Sequence, residues 1–363
     1  VLLDLRTEGV VFSNAPADIP GLEVVAATHP IPDGRSVAAA RRLVEVAVSA
    51  GSRDLAVVLI SGGGSALLTL PAVGFRLTDL AEGTRALVRC GATIDELNTV
   101  RKHVSAVKGG RLAEILAGAL SISTLVVSDV VGDDLSVIAS GPTVPDYTTF
   151  EDALAVFDRY GIRSEVPPTI VDRLEAGAAG EIDDTPSQGS VFDKQSITVV
   201  ASAADAARGA VDRASADGWD ASLVTSNLTG EARLVAGRIV GDTRDLAPGQ
   251  MLVYAGEPTV TVSGDGVGGR NQELALAASV ELAGDDGVML LSAGTDGVDG
   301  MSDAAGAIVD GLTVARGRSL GLDAGRYLDR NDSNSYLAAV GDTIVTGPTG
   351  TNVGDLILVA RSG

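Results

Sequence analysis

Several features are scarce or absent in this 363-residue sequence. Cys90 is its single cysteine, so the chain cannot contain an internal disulfide framework. No apolar run approaches the roughly 20 residues that a membrane-spanning helix requires. No signal peptide is apparent either. These absences predict a cytoplasmic protein with no membrane partner.

Lysine is also rare. Lys102, Lys108 and Lys194 are the only three lysines, and Asp plus Glu total 48 against 27 Lys plus Arg, for a formal net charge of -21. An acidic surface of this kind repels nucleic acid and anionic bilayers, so neither is an expected partner. The composition is typical of an acidic, halophilic proteome, although a high genomic GC content would equally favour Arg over Lys.

The length favours two domains, and an apolar content of 45% is enough to build sizeable cores. Short Val, Leu and Ile runs alternate with alanine-rich helical patterns, which is typical of parallel sheets covered by helices. We therefore predict an α/β fold with domains at 1–190 and 191–363, separated near the polar stretch 177–196. The predicted strands are 22–26, 55–60, 124–128, 197–201, 221–225, 251–254, 259–263, 288–292 and 356–359. The predicted helices are 36–50, 77–90, 108–117, 150–160, 203–216, 231–241 and 271–282.

A glycine turn joins one predicted strand to a helix start. Its residues are Ser61, Gly62, Gly63, Gly64 and Ser65. Consecutive glycines let a ligand approach the backbone closely, and the N–H groups at a helix start attract anions, most often phosphate. The alternative is that the glycines only permit a tight turn.

Cations are concentrated shortly after this turn. Asn98, Arg101, Lys102 and Lys108 lie within one short segment that holds two of the three lysines. In so acidic a chain this concentration favours a site for an anionic ligand. The chain has no Walker A motif ending in Gly-Lys-Ser/Thr, so any phosphate chemistry belongs to another kind of fold.

Acidic residues follow other predicted strands, where ligands gather in open α/β sheets. Asp129 comes directly after an apolar strand, Asp133 lies in the same loop, and Asp296 follows the predicted strand 288–292. Such carboxylates orient an attacking hydroxyl or hold magnesium. Helix capping and acidic turns are the alternative explanation.

The C-terminal half contains a further glycine pattern. Gly264, Gly266 and Gly269 match the dinucleotide fingerprint G-x-G-x-x-G after a predicted strand. Arg270 and Asn271 at the following helix entrance suit a phosphate or carboxylate better, with a surface salt bridge as the alternative for Arg270. A last glycine-rich loop, 346–355, supplies further hydroxyl and amide groups, including those of Thr349 and Asn352.

Six segments occur together in one order: 61–68, 98–113, 128–145, 268–273, 292–303 and 346–352. In this combination, from about His29-Pro30-Ile31-Pro32-Asp33 to its end, the chain resembles the class II glycerate 2-kinases. The resemblance implies a larger amino-terminal Rossmann-like α/β/α sandwich and a smaller carboxy-terminal MOFRL domain. It also implies transfer of a phosphoryl group from ATP, with magnesium, to the 2-hydroxyl of D-glycerate, giving 2-phosphoglycerate.

The resemblance also suggests roles for particular residues. Asp129 would accept or orient the substrate hydroxyl proton, and Arg270 would stabilise the transferring phosphoryl group or bind the glycerate carboxylate. Asp296 and Asp133 are the candidate metal ligands. The expected substrate- or nucleotide-binding residues are Ser61, Gly62, Gly63, Gly64, Ser65, Asn98, Arg101, Lys102, Lys108, Asn271, Thr349 and Asn352.

One departure from the family pattern affects the expected activity. Members carry a Gly-Lys-Ala-Ala segment, with a lysine thought to be catalytic, upstream of the motif at 29–33, and the given sequence starts after it. We therefore expect a truncated amino-terminal domain, and the resemblance does not by itself imply activity for such a chain. Two other functions stay open: an NAD(P)-dependent hydroxypyruvate reductase and a non-catalytic ligand-binding relative. A homo-oligomer is a further candidate assembly, and the sequence does not determine the oligomeric state.

Overall fold

The computed structural model describes residues 6–14 and 17–362. The chain divides into two compact units. Unit 1 comprises residues 1–126 and 134–198, and unit 2 comprises residues 127–133 and 199–363. The short segment 127–133 therefore belongs with the second unit although it lies in the first half of the sequence. The division at 190/191 stays a prediction for the domains.

Unit 1 is built around a three-stranded sheet of order β3-β4-β5. Its strands are β3 (Leu55–Ile60), β4 (Ser121–Val127) and β5 (Gln195–Ala201). β3 and β4 run parallel, with Leu55 opposite Ser121. A second parallel pair is formed by β1 (Val10–Ser13) and β2 (Glu23–Ala26). The loop after β3 contains the glycine turn, and the loop after β4 contains Asp129 and Asp133.

The helices of unit 1 are α1 (Gly34–Ser49), α2 (Gly64–Leu67), α3 (Leu77–Arg89), α4 (Ile94–His103), α5 (Arg111–Ile115), α6 (Phe150–Tyr160), α7 (Pro168–Ala178) and α8 (Ser190–Asp193). Their starts follow local sequence chemistry. Thr93 and Thr149 each form a capping box, with Glu96 and Asp152 respectively. A core that includes Phe150 and other apolar side chains of α3, α4, α6 and α7 packs these helices together.

Unit 2 contains a six-stranded sheet of order β10-β9-β8-β11-β7-β6. The strands are β6 (Asp220–Leu228), β7 (Gln250–Gly256), β8 (Val288–Gly294), β9 (Gly306–Asp310), β10 (Thr343–Ile344) and β11 (Asp355–Arg361). β6 and β7 pair in parallel, whereas β11 lies antiparallel between β7 and β8. Asp355, the first residue of β11, therefore lies at the end of a central strand, opposite Gly256 and Gly294.

The helices of unit 2 are α9 (Ala203–Ala216), α10 (Ala232–Asp242), α11 (Arg270–Glu281), α12 (Thr313–Ser319), α13 (Ala324–Asp329) and α14 (Ser333–Val340). α11 is buried along nearly its whole length, including its polar first turn. Buried polar groups need hydrogen-bond partners, so the start of α11 must be satisfied by other side chains of unit 2.

The sequence predicted the α/β class, and a two-domain α/β fold is confirmed. The expectation of parallel sheets is wrong for the β8, β9, β10 and β11 region, which pairs antiparallel. The predicted strand 259–263 is also wrong, since only Thr259 forms an isolated bridge. The amides of Ser263 and Gly264 instead donate to Asn331 Oδ1, at 2.8 and 3.0 Å. A side chain thus replaces the neighbouring strand.

Other boundaries differ for local reasons. The predicted helix 108–117 shrinks to α5, because Gly109 and Gly110 have φ of +56° and +78°, a left-handed backbone that interrupts a helix. The predictions 55–60, 150–160 and 203–216 match the observed elements.

No helix in the described ranges is long and apolar enough to cross a membrane.

Candidate functional site

The glycine turn after β3 is closely packed in unit 1. Gly63 has φ of +78°, and a Cβ there would lie 2.8 Å from the ring of His29. A Cβ on Gly64 would lie 2.8 Å from the Cβ of Ala139. Glycine is therefore required at both positions, and Ser61 and Gly62 lead into them. The helix that follows, α2, has only four residues, so the helix-dipole contribution expected from sequence is that of a single turn.

Lys108 lies against this turn. Its Nζ donates to the carbonyl oxygens of Ser65, at 3.0 Å, and Ala139, at 3.4 Å. The side chain is buried, with the residue 5% exposed, and forms no ion pair with any carboxylate of residues 6–14 and 17–362. Burial, reinforced by the charge of Arg101, lowers the pKa of Lys108 to about 7. An additional negative charge would therefore be stabilised here.

Arg101 is the second cation of this site. Burial lowers its pKa, and it makes no ion pair with a carboxylate in the described part of the chain. Two neighbouring cations without an internal counterion are unusual in a protein with 48 acidic residues. Such a pair suits an anionic ligand.

A left-handed turn at 139–141 holds these groups together. Ala139, Ser140 and Gly141 have φ of 52°, 62° and 59°, a conformation that costs free energy for residues with a side chain. Ser140 Oγ donates to Asn98 Oδ1, and it lies 2.9 Å from Ser65 Oγ. The turn thus joins Asn98, Ser65 and Lys108, three of the predicted binding residues.

Sequence reasoning gave Ser140 no role, and positive φ at a non-glycine residue leaves no clear signal in a sequence. The turn is fixed by backbone hydrogen bonds from Gly109 to Ser140 and from Gly110 to Gly141, at 3.0 and 2.7 Å. The two left-handed glycines that interrupt the predicted helix therefore hold the strained turn in place.

Lys102 does not share the environment of Lys108. Its Nζ lies 3.2 Å from Asp146 Oδ1, and both side chains are buried. Asp146 also accepts hydrogen bonds from the hydroxyls of Thr148 and Thr185, at 2.8 and 3.0 Å. The charge of Lys102 is thus neutralised within unit 1. Its contacts do not support the substrate-binding role expected from sequence.

Arg270 is the first residue of α11 in unit 2. Its Nε and Nη2 bind both oxygens of Asp355, at 2.6 and 3.1 Å, and its Nη1 lies 2.6 Å from Glu257 Oε1. Burial works against the charge of Arg270, but Asp355 and Glu257 outweigh it and raise the pKa of the guanidinium. Asp355 is 1% exposed, and burial raises its pKa to about 6 despite Arg270. Arg270 is thus paired with a buried carboxylate rather than in the surface salt bridge considered from sequence.

The side chain of Arg270 is nevertheless 33% exposed. It lines a cavity of about 270 Å³ together with Asp296, Val298, Asp299 and Gly300. This cavity is the candidate ligand site of unit 2.

The start of α11 is occupied by protein. Asp299 accepts from the backbone N–H groups of Asn271 and Gln272, at 3.0 and 2.9 Å. Asn271 is buried, and its Nδ2 donates to Asp355 Oδ1 at 3.0 Å. Its contacts are therefore intramolecular and give no support to the ligand-binding role expected from sequence.

The three glycines of the dinucleotide pattern also face protein. A Cβ on Gly266 would lie 2.3 Å from Asp332 Cβ, and one on Gly269 would lie 2.4 Å from Asp299 Cγ. They permit close packing within unit 2, with a carboxylate already at the helix N-terminus where a pyrophosphate would bind. The sequence pattern that favoured a reductase is thus explained by packing.

Three loops of unit 2 meet near Asp129. Asn352 Nδ2 donates to Asp129 Oδ2 at 3.2 Å. The backbone N–H of Thr349 donates to the carbonyl oxygen of Asp296, and its hydroxyl donates to Thr295. Asp129, Asn352, Thr349 and Asp296 therefore belong to one set of connected loops.

The predicted metal ligands are not grouped in a cage. Asp296 accepts from the N–H of Val298 at 3.0 Å, and Asp133 lies in a turn with φ of 55°. Across 6–14 and 17–362, no three His, Cys, Asp or Glu side chains are placed to hold a metal ion. The metal roles of Asp296 and Asp133 stay predictions.

Comparisons with known proteins identify the family. Residues 2–175 match the family model of a domain of unknown function, DUF4147, and residues 250–355 match the MOFRL family. A D-glycerate 2-kinase of Thermotoga maritima is 42% identical over 362 residues, which cover 97% of this chain and 84% of the relative. A relative from Agrobacterium vitis, named as a hydroxypyruvate reductase, is 40% identical over 97% of this chain and 81% of its own.

A solved structure agrees with these sequences. The crystal structure of a glycerate kinase from Thermotoga maritima superposes with a TM-score of 0.88 at 40% sequence identity, covering 98% of this chain and 85% of that one. Both family models, the sequence relatives and this structure lead to one conclusion: the chain belongs to the class II glycerate 2-kinase family.

Proposed function

We propose that this protein is a glycerate kinase that transfers the γ-phosphoryl group of ATP to the 2-hydroxyl of D-glycerate. The observation that carries the proposal is Lys108, a buried cation with no carboxylate partner in the described chain, set against a glycine turn. In a protein of net charge -21, such a site fits a phosphate-bearing substrate. The glycerate kinases among its relatives support the same reaction.

The reaction forms a bond between the glycerate 2-oxygen and the γ-phosphorus and breaks the bond from that phosphorus to the bridging oxygen of ADP. The hydroxyl proton passes to a base. Catalysis of this transfer depends mainly on positioning and on charge stabilisation. We assign the residues of each unit to these two tasks.

In unit 1 we assign phosphate binding to the glycine turn, Lys108 and Arg101. The N–H groups of a first helical turn have no acceptor inside the helix, so those of Gly64 and Ser65 suit phosphate oxygens. Lys108 and Arg101 supply positive charge, and the burial of Lys108 strengthens its interaction with an anion. Asn98 acts indirectly, by accepting from Ser140.

In unit 2 we assign the base to Asp129, which Asn352 orients through its 3.2 Å hydrogen bond. Arg270 uses three of its five N–H groups on Asp355 and Glu257. The remaining two are left for the glycerate carboxylate or the phosphoryl group in the adjoining cavity.

Magnesium in kinases is usually held by one or two carboxylates together with phosphate oxygens. The lack of a three-ligand cage in the described residues fits that arrangement. We propose Asp296, on the cavity wall, as the carboxylate, and assign no role to Asp133. When bound, magnesium supplies charge neutralisation on the phosphate oxygens.

We further propose a cytoplasmic location and an acidic, salt-adapted proteome, on composition alone.

The test measures glycerate-dependent ADP formation with magnesium, at low and high salt, in protein from the complete open reading frame. Lys108→Met and Asp129→Asn should each lower kcat/KM by about 10²- to 10³-fold, because the first removes a cation assigned to phosphate binding and the second removes the assigned base. Lys194→Met is the matched control: Lys194 also donates to two backbone carbonyls, those of Ala117 and Ala119. Its activity should stay at the wild-type level.

A folded protein that forms no ADP with glycerate would refute the kinase proposal. Oxidation of NAD(P)H by hydroxypyruvate in the same preparation would then favour the reductase. Full activity of Lys108→Met would reject the phosphate-binding assignment while leaving the reaction itself in place.

A further inference from the structure

Unit 1 contains a second arginine group without an ion-pair partner among the described residues, and the hydrogen bonds of Lys108 Nζ do not involve it. Arg111 is the first residue of α5, directly after the left-handed Gly110. Its Nε and Nη2 are buried and have no hydrogen-bond partner among the residues that the structure describes. Buried guanidinium donors without an acceptor cost free energy, so an acceptor from outside the chain would be strongly stabilised here.

The geometry of these two atoms indicates the kind of acceptor. Nε and Nη2 form one edge of the guanidinium, and Arg270 uses the same pair to bind both oxygens of Asp355. Arg111 therefore presents the edge that binds two oxygens of one anion side by side. In unit 2 the protein supplies that anion, whereas at Arg111 the described chain supplies none.

Arg173 on α7 adds a second positive charge. Its Nε donates to the carbonyl oxygen of His103 at 2.8 Å, and its guanidinium carbon lies 5.9 Å from the ring centroids of both Phe75 and Phe150. These three contacts fix the position of the group. Burial, followed by the charge of Arg111, lowers the pKa of Arg173. Like Arg111, it forms no ion pair with a carboxylate of the described residues.

A large cavity lies close to Arg173. Phe75, on which Arg173 packs, also lines a cavity of about 700 Å³ between α1 and residues 70–77. Phe75 is thus shared between this cavity and the contacts of Arg173, although neither arginine is among the residues that line the cavity. The hydrogen bonds of Lys108 Nζ, to the carbonyl oxygens of Ser65 and Ala139, involve neither arginine side chain.

We propose that Arg111 and Arg173 bind a phosphate group, as a dianion, at a site separate from the one assigned to the kinase reaction. The edge of Arg111 binds two of its oxygens, and the charge of Arg173 compensates the second negative charge. Two fixed cations suit a dianion better than a single carboxylate. The phosphate group is either free or carried by a small organic ester.

The test titrates inorganic phosphate and, separately, glycerol 3-phosphate into four proteins by calorimetry. Wild type and the control Arg53→Met, at an exposed arginine, should bind two equivalents of phosphate. Arg111→Met and Lys108→Met should each bind one, having lost different sites. Tighter binding of the ester than of phosphate would identify an esterified ligand, and the reverse would identify free phosphate. Wild-type stoichiometry and affinity in Arg111→Met would overturn the proposal.

Thermal unfolding separates binding from a purely structural role. Without phosphate, Arg111→Met should melt no lower than wild type, because the substitution removes a buried charge that the protein does not compensate. With excess phosphate, wild type should gain more in Tm than the variant. A lower Tm of Arg111→Met in both conditions would indicate a structural arginine and contradict the proposal.

A measurement on wild type covers the case in which the variant does not fold. Crystals grown in arsenate should show an anomalous arsenic peak beside Arg111 Nε and Nη2. Its absence at saturating arsenate would overturn the proposal. If a peak appears at Arg111 but none appears at Lys108, the result counts against the phosphate-binding assignment of Lys108 instead. Failure of this proposal and failure of the kinase assignment are therefore distinguishable.

Discussion

The two units treat buried positive charge in opposite ways. In unit 2, Arg270 is bound by Asp355 and Glu257, so its charge is compensated inside the protein. In unit 1, the buried Lys108 and the buried Nε and Nη2 atoms of Arg111 have no carboxylate partner among the described residues. A buried charge that has lost or never had a partner is costly. The difference suggests that Arg270 of unit 2 fixes a loop network, whereas Lys108 and Arg111 of unit 1 keep their charge for ligands.

The same contrast occurs over six residues within unit 1. Lys102 and Lys108 are equally buried, yet Asp146 neutralises Lys102, while Lys108 is surrounded by backbone carbonyls and a second cation. Residue type and burial therefore do not identify a ligand-binding lysine. The identity of the nearest charged neighbour does.

The largest loss of stability should come from breaking the ion pair between Arg270 and Asp355. Asp355→Asn leaves Arg270 with a weakened buried partner and should lower the free energy of unfolding by about 3–5 kcal/mol. Chemical denaturation measures this change. Asp265→Asn is the control: it removes an exposed ion pair with Arg330 and should change stability little. Equal stability of both variants would mean that the Arg270 pair does not hold unit 2 together.

A smaller effect is expected at the strained turn of unit 1. Ser140→Ala removes the donor to Asn98 Oδ1 and the bond to Ser65, leaving a buried acceptor unpaired. This should cost about 1–3 kcal/mol of stability. It should also raise KM more than it lowers kcat, since Ser140 positions binding residues. Ser49→Ala, at an exposed serine bonded only to a helix carbonyl, is the control. A wild-type KM in Ser140→Ala would rule out the positioning role.

The smallest effect is a pH dependence of ligand binding. With a pKa of about 7 in the folded protein, Lys108 is a cation below that pH and becomes neutral above it. The affinity for a phosphate-bearing substrate should therefore fall above pH 7, by at most about tenfold per pH unit, or 1.4 kcal/mol. KM measured from pH 6 to 9 checks this. Lys108→Arg stays charged, so its KM should not rise above pH 7. If KM rises with pH in the same way in both proteins, the phosphate-binding assignment of Lys108 is contradicted.

The same titration has a consequence for stability. The pKa of Lys108 is below the value of 10.5 for an unperturbed lysine, so between these values the unfolded state binds more protons. This group therefore makes the ligand-free protein more stable as pH rises from about 7 to 10.5. The change is opposite in sign to the change in ligand affinity.

Sequence reasoning succeeded where the information is local. Hydrophobic periodicity placed β3 and α6, and consecutive glycines predicted the tight turn at Gly63 and Gly64. It failed where the local structure depends on a hydrogen bond from a residue far along the chain. Asn331 binds the amides of the segment predicted as strand 259–263, and Asp299 caps α11 where a dinucleotide was considered. Neither aspartate nor asparagine is distinguishable from a turn residue in sequence.

The sequence by itself determined the acidic surface, the α/β alternation, the glycine turn and the family resemblance, because composition and short-range spacing are properties of the chain. Only the tertiary structure decided which cations are compensated. Asp146 is 44 residues from Lys102, and Asp355 is 85 from Arg270. The free energy of a buried charge depends on which groups folding brings within a few ångströms of it, and for Lys108 and Arg111 folding brings no carboxylate from the described chain.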